Sequence, residues 1–377
     1  MAHAYTPGLR VTKRTTIRRE RALPLKGKVV VEKGQRLSAD TVVARTELPG
    51  GVQTINVINQ LSITPDEIMD YMLKKEGDPV EQNEPIAQNK PLLGLAFLKT
   101  IVRSPIKGFV ERISETTGQV ILREPPVPVE IHAYIDGTVV EVIPETGVVM
   151  EAQATFIQGI FGIGGEANGE LVVVVDSPDK ELSENLVKPE HKGKILVGGS
   201  LITAGAFKRA RELGVVGVVA GGFHDKDLRD VLGRDLGVAI TGTEQLGTTL
   251  VVTEGFGAIP MAKKSFDILV ARQGKRASIS GATQIRAGVI RPEIIIPFEA
   301  GDDGAEEAPV ESEKWLKPGD PVRVIREPYF GEIGVVKSLP HELARVESET
   351  KVRILEVDFG DGKGVIIPRA NVETIED

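Results

Sequence analysis

The sequence contains no cysteine, which excludes disulfide bonds, thiolate zinc sites, cysteine-ligated iron–sulfur clusters and cysteine nucleophiles. Its five histidines are not paired at the spacing of metal ligands, so neither a metal site nor a cofactor is expected. Aromatic residues make up only 4% of the chain, beside 41 glycines and 23 prolines. That composition favours many short strands and turns over long packed helices.

Long apolar runs are also missing. The first residues lack the apolar stretch of a signal peptide, and no later run approaches the roughly 18 apolar residues of a membrane span. The sequence therefore predicts a cytoplasmic protein without a membrane partner. A length of 377 residues exceeds what one core usually supports and indicates several domains.

The net charge of -8 conceals a basic N-terminus. We predict that residues 1–22 form a basic arm that contacts RNA or DNA through phosphates. A solvated strand edge or a contact to the protein's own acidic surface explains the same charges. The cations concerned are Arg10, Lys13, Arg14, Arg18, Arg19 and Arg21.

Residues 23–175 show alternating apolar residues interrupted by turn residues, which predicts successive strands and hairpins. Ile106–Glu111 repeats as Ile135–Val140, and in each copy a second glycine follows ten residues after the first. This pattern resembles the barrel-sandwich hybrid folds, which include lipoyl and biotinyl carrier domains. Carrier domains present a modifiable lysine at a hairpin tip, whereas these repeat hairpins offer only Lys107, so the resemblance implies an unmodified scaffold.

Residues 190–298 alternate strands with helix-like segments, of which Ala204–Leu213 and Met261–Arg272 are the clearest. Such alternation predicts a parallel-sheet α/β domain built from βαβ units. Its glycine-rich turns should meet at the carboxyl ends of the strands and supply donors for a small anion. Short strand-to-helix turns need glycine in any case. The candidate ligand residues are Gly199, Ser200, Gly222, His224, Thr243, Glu254, Gly255, Gly257 and Arg286.

Three other features of the sequence are weaker signals of function. Gly162–Ala167 matches a loose dinucleotide-binding spacing, but a strand-like segment follows it, so we interpret it as a hairpin turn. His224 is faintly similar to the phosphohistidine of swivelling domains, without their preceding Thr-Ser pair, and a capping or exposed histidine is the alternative. Arg286 can line the crevice or form a salt bridge to Glu254 or Glu293.

Residues 299–314 are rich in Asp and Glu among Gly, Ala and Pro, which is typical of an acidic linker. Residues 315–377 then resemble the KOW motif in a small SH3-like barrel, with Gly331 and Gly334 where that motif has glycines. Such modules occur in transcription elongation factors of the NusG class and in ribosomal proteins. The resemblance implies a contact surface, for which Arg326, Tyr329 and Phe330 are the candidates.

Together these features predict a multidomain, β-rich plus α/β chain without catalytic residues. We interpret it as a non-catalytic binding or scaffold protein that associates with RNA, DNA, polymerase or ribosome through the KOW-like unit. An enzyme or sensor for a small anion in the α/β crevice is the first alternative. A structural subunit of a larger assembly or oligomer is the second, because fold alone does not fix function.

Overall fold

The computed structural model describes residues 9–89, 100–224, 226–227, 247–283, 290–299, 316–324, 328–329, 332–340, 343–345, 351–360 and 362–374. The chain is rich in strands that form several sheets, as the composition predicts. Four α-helices lie in these residues: α1 Val57–Leu61, α2 Ile68–Tyr71, α3 Ala204–Glu212 and α4 Lys263–Ala271. Short 3₁₀ helices cover Pro65–Glu67, Glu184–Leu186, Pro189–His191 and Arg369–Asn371. No helix of the described residues has the length and apolarity needed to cross a membrane.

The N-terminal part consists of strands. They are β1 Val11–Ala22, β2 Lys28–Val29, β3 Arg36–Leu37, β4 Val42–Leu48, β5 Val52–Asn56, β6 Pro79–Val80, β7 Pro85–Gln88, β8 Ile101–Arg103, β9 Gly108–Ser114, β10 Gln119–Arg123, β11 Val127–His132, β12 Gly137–Ile143 and β13 Gly147–Gln158. The predicted single domain of residues 23–175 contains two cores. One gathers side chains from the flanking strands β2 to β4 and β11 to β13, and the other gathers those from β5 to β10. We call these the outer lobe and the inserted lobe.

Both copies of the predicted repeat are hairpins, β9–β10 in the inserted lobe and β12–β13 in the outer lobe. In each, the first glycine lies against the partner strand. A Cβ atom at Gly108 would stand 2.0 Å from the backbone oxygen of Arg123, and one at Gly137 would stand 2.5 Å from that of Glu151. Only glycine allows so close a backbone approach, which explains the repeated residue.

The duplication extends to a turn glycine that contacts each hairpin, Gly34 before β3 and Gly77 before β6. The amide of Gly34 donates to the carbonyl of Val139 at 2.7 Å, and the amide of Gly77 donates to that of Val110 at 2.7 Å. In both lobes the acceptor lies two residues after the repeat glycine. One lobe therefore repeats the construction of the other.

The inserted lobe joins the outer lobe through a neck of two chain segments. Leu48 is paired with Val127 on the outer side, and Val52 with Arg123 on the inner side. Between them, a Cβ atom at Gly50 would stand 2.0 Å from the backbone oxygen of Glu124. The chain therefore enters the inserted lobe after Leu48 and leaves it before Val127, and these two residues are paired with each other.

The central sheet contains thirteen strands, in the order β14-β20-β19-β17-β15-β21-β22-β13-β12-β3, with β1, β16 and β18 attached beside this path. Its further strands are β14 Phe161–Ile163, β15 Glu166–Val173, β16 Glu181–Leu182, β17 Lys194–Val197, β18 Leu201–Ile202, β19 Gly217–Phe223, β20 Thr249–Phe256, β21 Arg276–Ser280 and β22 Glu293–Pro297.

Strands β15, β17, β19 and β20 run parallel, as the strand–helix alternation predicts. The two longer helices cover opposite faces of this parallel part. Phe207 of α3 belongs to the core on one face, and Phe266 and Leu269 of α4 belong to the core on the other. The predicted helices are confirmed, with bounds one or two residues shorter at their ends.

Two local expectations differ from the structure. Strand β15 lies in the central sheet, although its residues fell within the predicted domain of residues 23–175. Gly164 and Gly165 do form a turn with positive φ values of 101° and 77°. The predicted hairpin is nevertheless wrong, because β14 pairs with β20 while β15 pairs with β17 and β21.

The C-terminal unit is a separate antiparallel sheet with its own core. Its strands are β23 Pro321–Val324, β24 Ile333–Ser338, β25 Leu343–Arg345, β26 Lys351–Asp358, β27 Gly364–Pro368 and β28 Val372–Thr374. Val322, Val336, Leu355, Val357 and Val372 point to its interior and are buried. Alternate residues on these strands face outward.

Candidate functional site: the predicted crevice and the face of the C-terminal unit

Several glycines of the predicted anion crevice pack against the protein's own backbone. The amide of Gly221 donates to the carbonyl of Gly199 at 2.7 Å, and that of Ser200 donates to Lys180 at 2.9 Å. A Cβ atom at Gly222 would stand 1.8 Å from the backbone oxygen of Gly257. These glycines permit close packing of the chain, and the amides of Gly221 and Ser200 donate to backbone carbonyls. Anion binding by this region stays a prediction.

Strands also continue through the glycines that were expected to open a crevice. Gly221 and Gly222 lie within β19, and Gly255 lies within β20. His224 follows β19 and is exposed, while Thr243 and Arg286 lie outside the described residues. No group of three or more potential metal ligands occurs among the residues that the structure describes.

Glu254 forms an ion pair with the C-terminal unit. Its Oε2 accepts from Nη2 of Arg323 at 2.5 Å, and its Oε1 accepts from the amide of Ala262 at 3.0 Å. Both partners of the ion pair are buried, with Arg323 only 2% exposed. Glu254 therefore joins β20 to β23 instead of facing a ligand pocket.

A second carboxylate completes this contact. Glu373 on β28 accepts from Nη1 of Arg323 at 3.1 Å and from Nη2 of Arg291, which precedes β22. Two guanidinium groups thus alternate with two carboxylates, so the desolvated charges balance. Buried charges of this kind are stable only when paired and hydrogen-bonded. We call the four residues, Arg291, Glu373, Arg323 and Glu254, the docking network.

The docking network occupies only one end of the outward face of the C-terminal unit. Arg323 is the direct register partner of Glu373 on one side and of Ile333 on the other. Directly opposite residues of an antiparallel pair share a face. The same face therefore continues over Ile333 and the residues two positions along, away from the docked end.

The undocked end of this face carries exposed apolar side chains. Ile333 is 37% exposed, Val335 is 47% exposed and Ile366 is 64% exposed. The strand between them, β26, presents Glu356 and Asp358, the register partners of Ile366 and Val335. We call these five residues the open face.

The open face keeps a negative charge. Ser338 donates to Glu356 at 2.9 Å, and this hydrogen bond lowers the pKa of the Glu356 carboxyl. Lys337 pairs with the same carboxylate at 3.2 Å. Oδ1 of Asp358 accepts from the amides of Gly360 and Gly362 at 2.8 and 3.1 Å. The apolar side chains thus flank two hydrogen-bonded carboxylates.

Of the contact residues predicted for this unit, only Tyr329 is described. It is partly buried, and its ring stacks on Phe359 with centroids 5.4 Å apart. Arg326 and Phe330 lie outside the described residues. The sequence analysis did not single out the exposed strand face that carries Ile333 and Val335. The signal was present in the alternation of Ile333–Ser338, but both faces of that strand carry apolar residues.

The basic arm forms strand β1, which pairs with β13 over ten register positions. Arg19 donates to Glu293 from Nε at 2.9 Å and also from Nη2. Arg21 donates to both oxygens of Glu166 at 2.7 Å. These two predicted nucleic-acid contacts are engaged with the protein's own carboxylates, which was one of the alternatives open from the sequence.

Two of the remaining cations of the arm make ring contacts. The guanidinium of Arg10 lies 5.3 Å from the ring centroid of Phe156, and that of Arg14 lies 4.8 Å from that of Phe298. Arg18 pairs with Glu151 at 2.6 Å but remains 70% exposed, and Lys13 is exposed. Arg10 is also exposed, so three of the six predicted contact cations, Arg10, Lys13 and Arg18, lie at the surface.

No protein-family model matches the chain. A search of curated proteins finds no significant match either.

Proposed function

We propose that this chain is a non-catalytic scaffold protein that binds a protein partner, within the transcription or translation machinery, through the open face of its C-terminal unit. The observation that carries the proposal is the exposure of Ile333, Val335 and Ile366 on that face. Large apolar side chains that are grouped and solvent-exposed mark protein interaction sites more often than single exposed residues do.

We further propose that the C-terminal unit is an SH3-like barrel of the KOW type. The strand pairing supports this, since β23, β24, β26 and β27 pair in sequence and β28 returns to pair with β23. A 3₁₀ turn, Arg369–Asn371, precedes that last strand. Modules of this type present a strand face or a loop to a partner, which fits the position of the open face.

For the two N-terminal lobes we propose barrel-sandwich hybrid folds that serve as a scaffold. Their shared hairpins and shared glycine contacts support the proposal. Lys107, the sole lysine at a repeat hairpin, pairs with Glu81 at 3.0 Å. That lysine has none of the carrier-domain surroundings, so the lobes are proposed to position a partner and not to carry a group.

The chemistry of the open face supports a proposal for the kind of partner segment. Its centre carries the carboxylates of Glu356 and Asp358, and its flanks carry apolar side chains. A complementary segment would place large apolar side chains on either side of a lysine or arginine. A phosphate backbone fits this acidic surface poorly, because like charges oppose association.

The proposal is tested by binding of the full-length chain to purified RNA polymerase and to purified ribosomes in biolayer interferometry. Ile366→Glu and Val335→Lys place charges on the open face and leave its interior untouched. If these residues are central contacts, each variant should weaken binding by about 30-fold, the effect of losing about 2 kcal/mol at an interface. Val52→Lys, at a 50% exposed position of the inserted lobe, is the matched control.

Two results would overturn the proposal. One is binding to neither assembly by the wild-type chain, and the other is equal binding by Ile366→Glu, Val335→Lys and the control. A parallel titration with labelled RNA and duplex DNA addresses the arm. An affinity whose logarithm falls linearly with the logarithm of the salt concentration, and that drops for Arg18→Gln, would favour nucleic acid as the partner instead.

A further inference from the structure

A cavity of about 320 Å³ lies where the outer lobe meets the central sheet. Its walls come from the end of β3, the residue before β12, the start of β21 and the end of β22. Volumes of this size are at the lower end for small-molecule sites, which favour junctions between domains. The lining residues are Arg36, Leu37, Ser38, Asp136, Arg276, Pro297, Phe298 and Glu299.

Most charges at this cavity neutralise one another. Nη2 of Arg276 donates to the Asp40 carboxylate and to Oδ1 of Asn168, the latter at 2.6 Å. The hydrogen bond from Arg276 lowers the pKa of Asp40. Glu299 pairs with Lys275 at 3.2 Å. These contacts leave one cation and one anion of the lining to be considered.

The cation is Arg36, which is exposed and has no ion pair with any residue that the structure describes. The anion is Asp136. Its Oδ1 accepts from the amide of Ala39 at 2.6 Å, whereas its Oδ2 lies 4.0 Å from Nε of Arg276, beyond hydrogen-bond distance. The Nε of Arg276 is itself buried and has no hydrogen-bond partner. Because Nε is a donor, it can be satisfied by a water or carboxylate oxygen but not by an ammonium group, which leaves Oδ2 of Asp136 as the acceptor at this wall.

Apart from Ser38, the remaining wall is apolar. Leu37 is buried, and Phe298 and Pro297 are partly buried. The ring of Phe298 is held in place by the guanidinium of Arg272, 4.2 Å from its centroid, and by that of Arg14. An apolar wall beside one cation and one anion accepts a small molecule that has an apolar part and both charges.

We propose that this cavity binds a free α-amino acid with an apolar side chain. Arg36 receives the carboxylate, which a guanidinium can bind through two hydrogen bonds. Oδ2 of Asp136 receives the ammonium group, and Phe298 with Leu37 contacts the side chain. The site is independent of the open face, so either proposal can fail alone.

The test is isothermal titration calorimetry of the full-length chain with L-phenylalanine and L-leucine. Two further probes each lack one charge: 3-phenylpropionate has no ammonium group, and phenethylamine has no carboxylate. Arg36→Gln should weaken the amino acids and 3-phenylpropionate by about tenfold and leave phenethylamine unchanged, since a charged hydrogen bond is lost. Asp136→Asn should weaken the amino acids and phenethylamine and leave 3-phenylpropionate unchanged.

Controls separate this effect from a loss of structure. Asp136→Asn keeps an oxygen for the amide of Ala39, and Arg45→Gln removes an exposed arginine that does not line the cavity. All variants should unfold in urea at the wild-type midpoint. Absence of binding by both amino acids up to about 10 mM would overturn the proposal. The proposal would also be overturned if each probe bound Arg36→Gln, Asp136→Asn and the wild-type chain with the same affinity.

Discussion

Replacing Arg323 by methionine should be among the most damaging single changes in the chain. The side chain is 2% exposed and contacts two buried carboxylates, those of Glu254 and Glu373. After the change Glu373 keeps Arg291, and Glu254 keeps only the amide of Ala262. One buried negative charge is then in excess. Removal of one partner of a buried ion pair costs about 3–5 kcal/mol, which is the loss expected for the docked C-terminal unit.

The double change Arg323→Met with Glu254→Gln restores the charge balance. Gln can still accept from the amide of Ala262, and the Arg291–Glu373 pair remains neutral. We therefore expect the double variant to be more stable than Arg323→Met alone, with an interaction energy of about 2–3 kcal/mol in the cycle. Such rescue distinguishes a charge imbalance from a simple loss of packing.

Urea unfolding of the full-length chain, followed by tryptophan fluorescence, measures this cycle. Trp315 is the only tryptophan and directly precedes Leu316 of the C-terminal unit in sequence. Far-UV circular dichroism reports the other sheets, since a multidomain chain need not unfold in one step. Additive single effects, or a loss below about 0.5 kcal/mol for Arg323→Met, would refute the reasoning.

Three further changes test other parts of the structure. Gly222→Ala should destabilise the chain by about 1–3 kcal/mol or more, because the new Cβ atom would stand 1.8 Å from a backbone oxygen. Gly205→Ala is the control: it lies inside α3, its Cβ atom would stand 3.1 Å from a flexible carboxylate, and it should be neutral or stabilising. Thermal melting measures both variants. Arg19→Gln removes the guanidinium that pairs with the largely buried carboxylate of Glu293 and should lower the urea midpoint. Arg18→Gln, at the exposed pair with Glu151, should change stability by less than about 0.5 kcal/mol. Equal effects of the two changes would contradict the difference in burial. Burial lowers the pKa of His191, so the unfolded chain binds the proton more readily than the folded chain. The free energy of unfolding should therefore fall as the pH drops below about 6.5. His191→Gln should reduce that fall in urea titrations at several pH values, and an unchanged pH dependence would contradict the prediction.

Local sequence patterns predicted the parts of the fold that depend on local rules. Helix α3 follows a capping threonine, Thr203, and its apolar residues recur at helical spacing. The parallel strands β17 and β19 were visible as short apolar runs that end in glycine. The hairpin repeat was visible because glycine is required at Gly108 and Gly137 by a close backbone approach.

Contacts between distant segments could not be predicted in the same way. Arg19 and Glu293 are 274 positions apart, and Glu254 and Arg323 are 69 apart. A charge pattern gives the sign of each group but not its partner. The sequence alone therefore predicts a phosphate contact for the arm and a ligand-binding role in the crevice for Glu254. The sequence pattern of the glycines also does not show which of them are required by close chain packing, as Gly222 is against Gly257.

The neck between the two lobes has a consequence for the order of folding. Leu48 and Val127 are 79 positions apart, so pairing them directly in an unfolded chain would close a loop at an entropic cost of about 4 kcal/mol. Once the inserted lobe has folded, its pair of Val52 and Arg123 already holds the two segments side by side. The outer lobe then closes as though its two halves were joined by a short turn. Pulse-labelled hydrogen exchange during refolding should protect β9 and β10 before β4 and β11, and simultaneous protection of the two pairs would contradict this order.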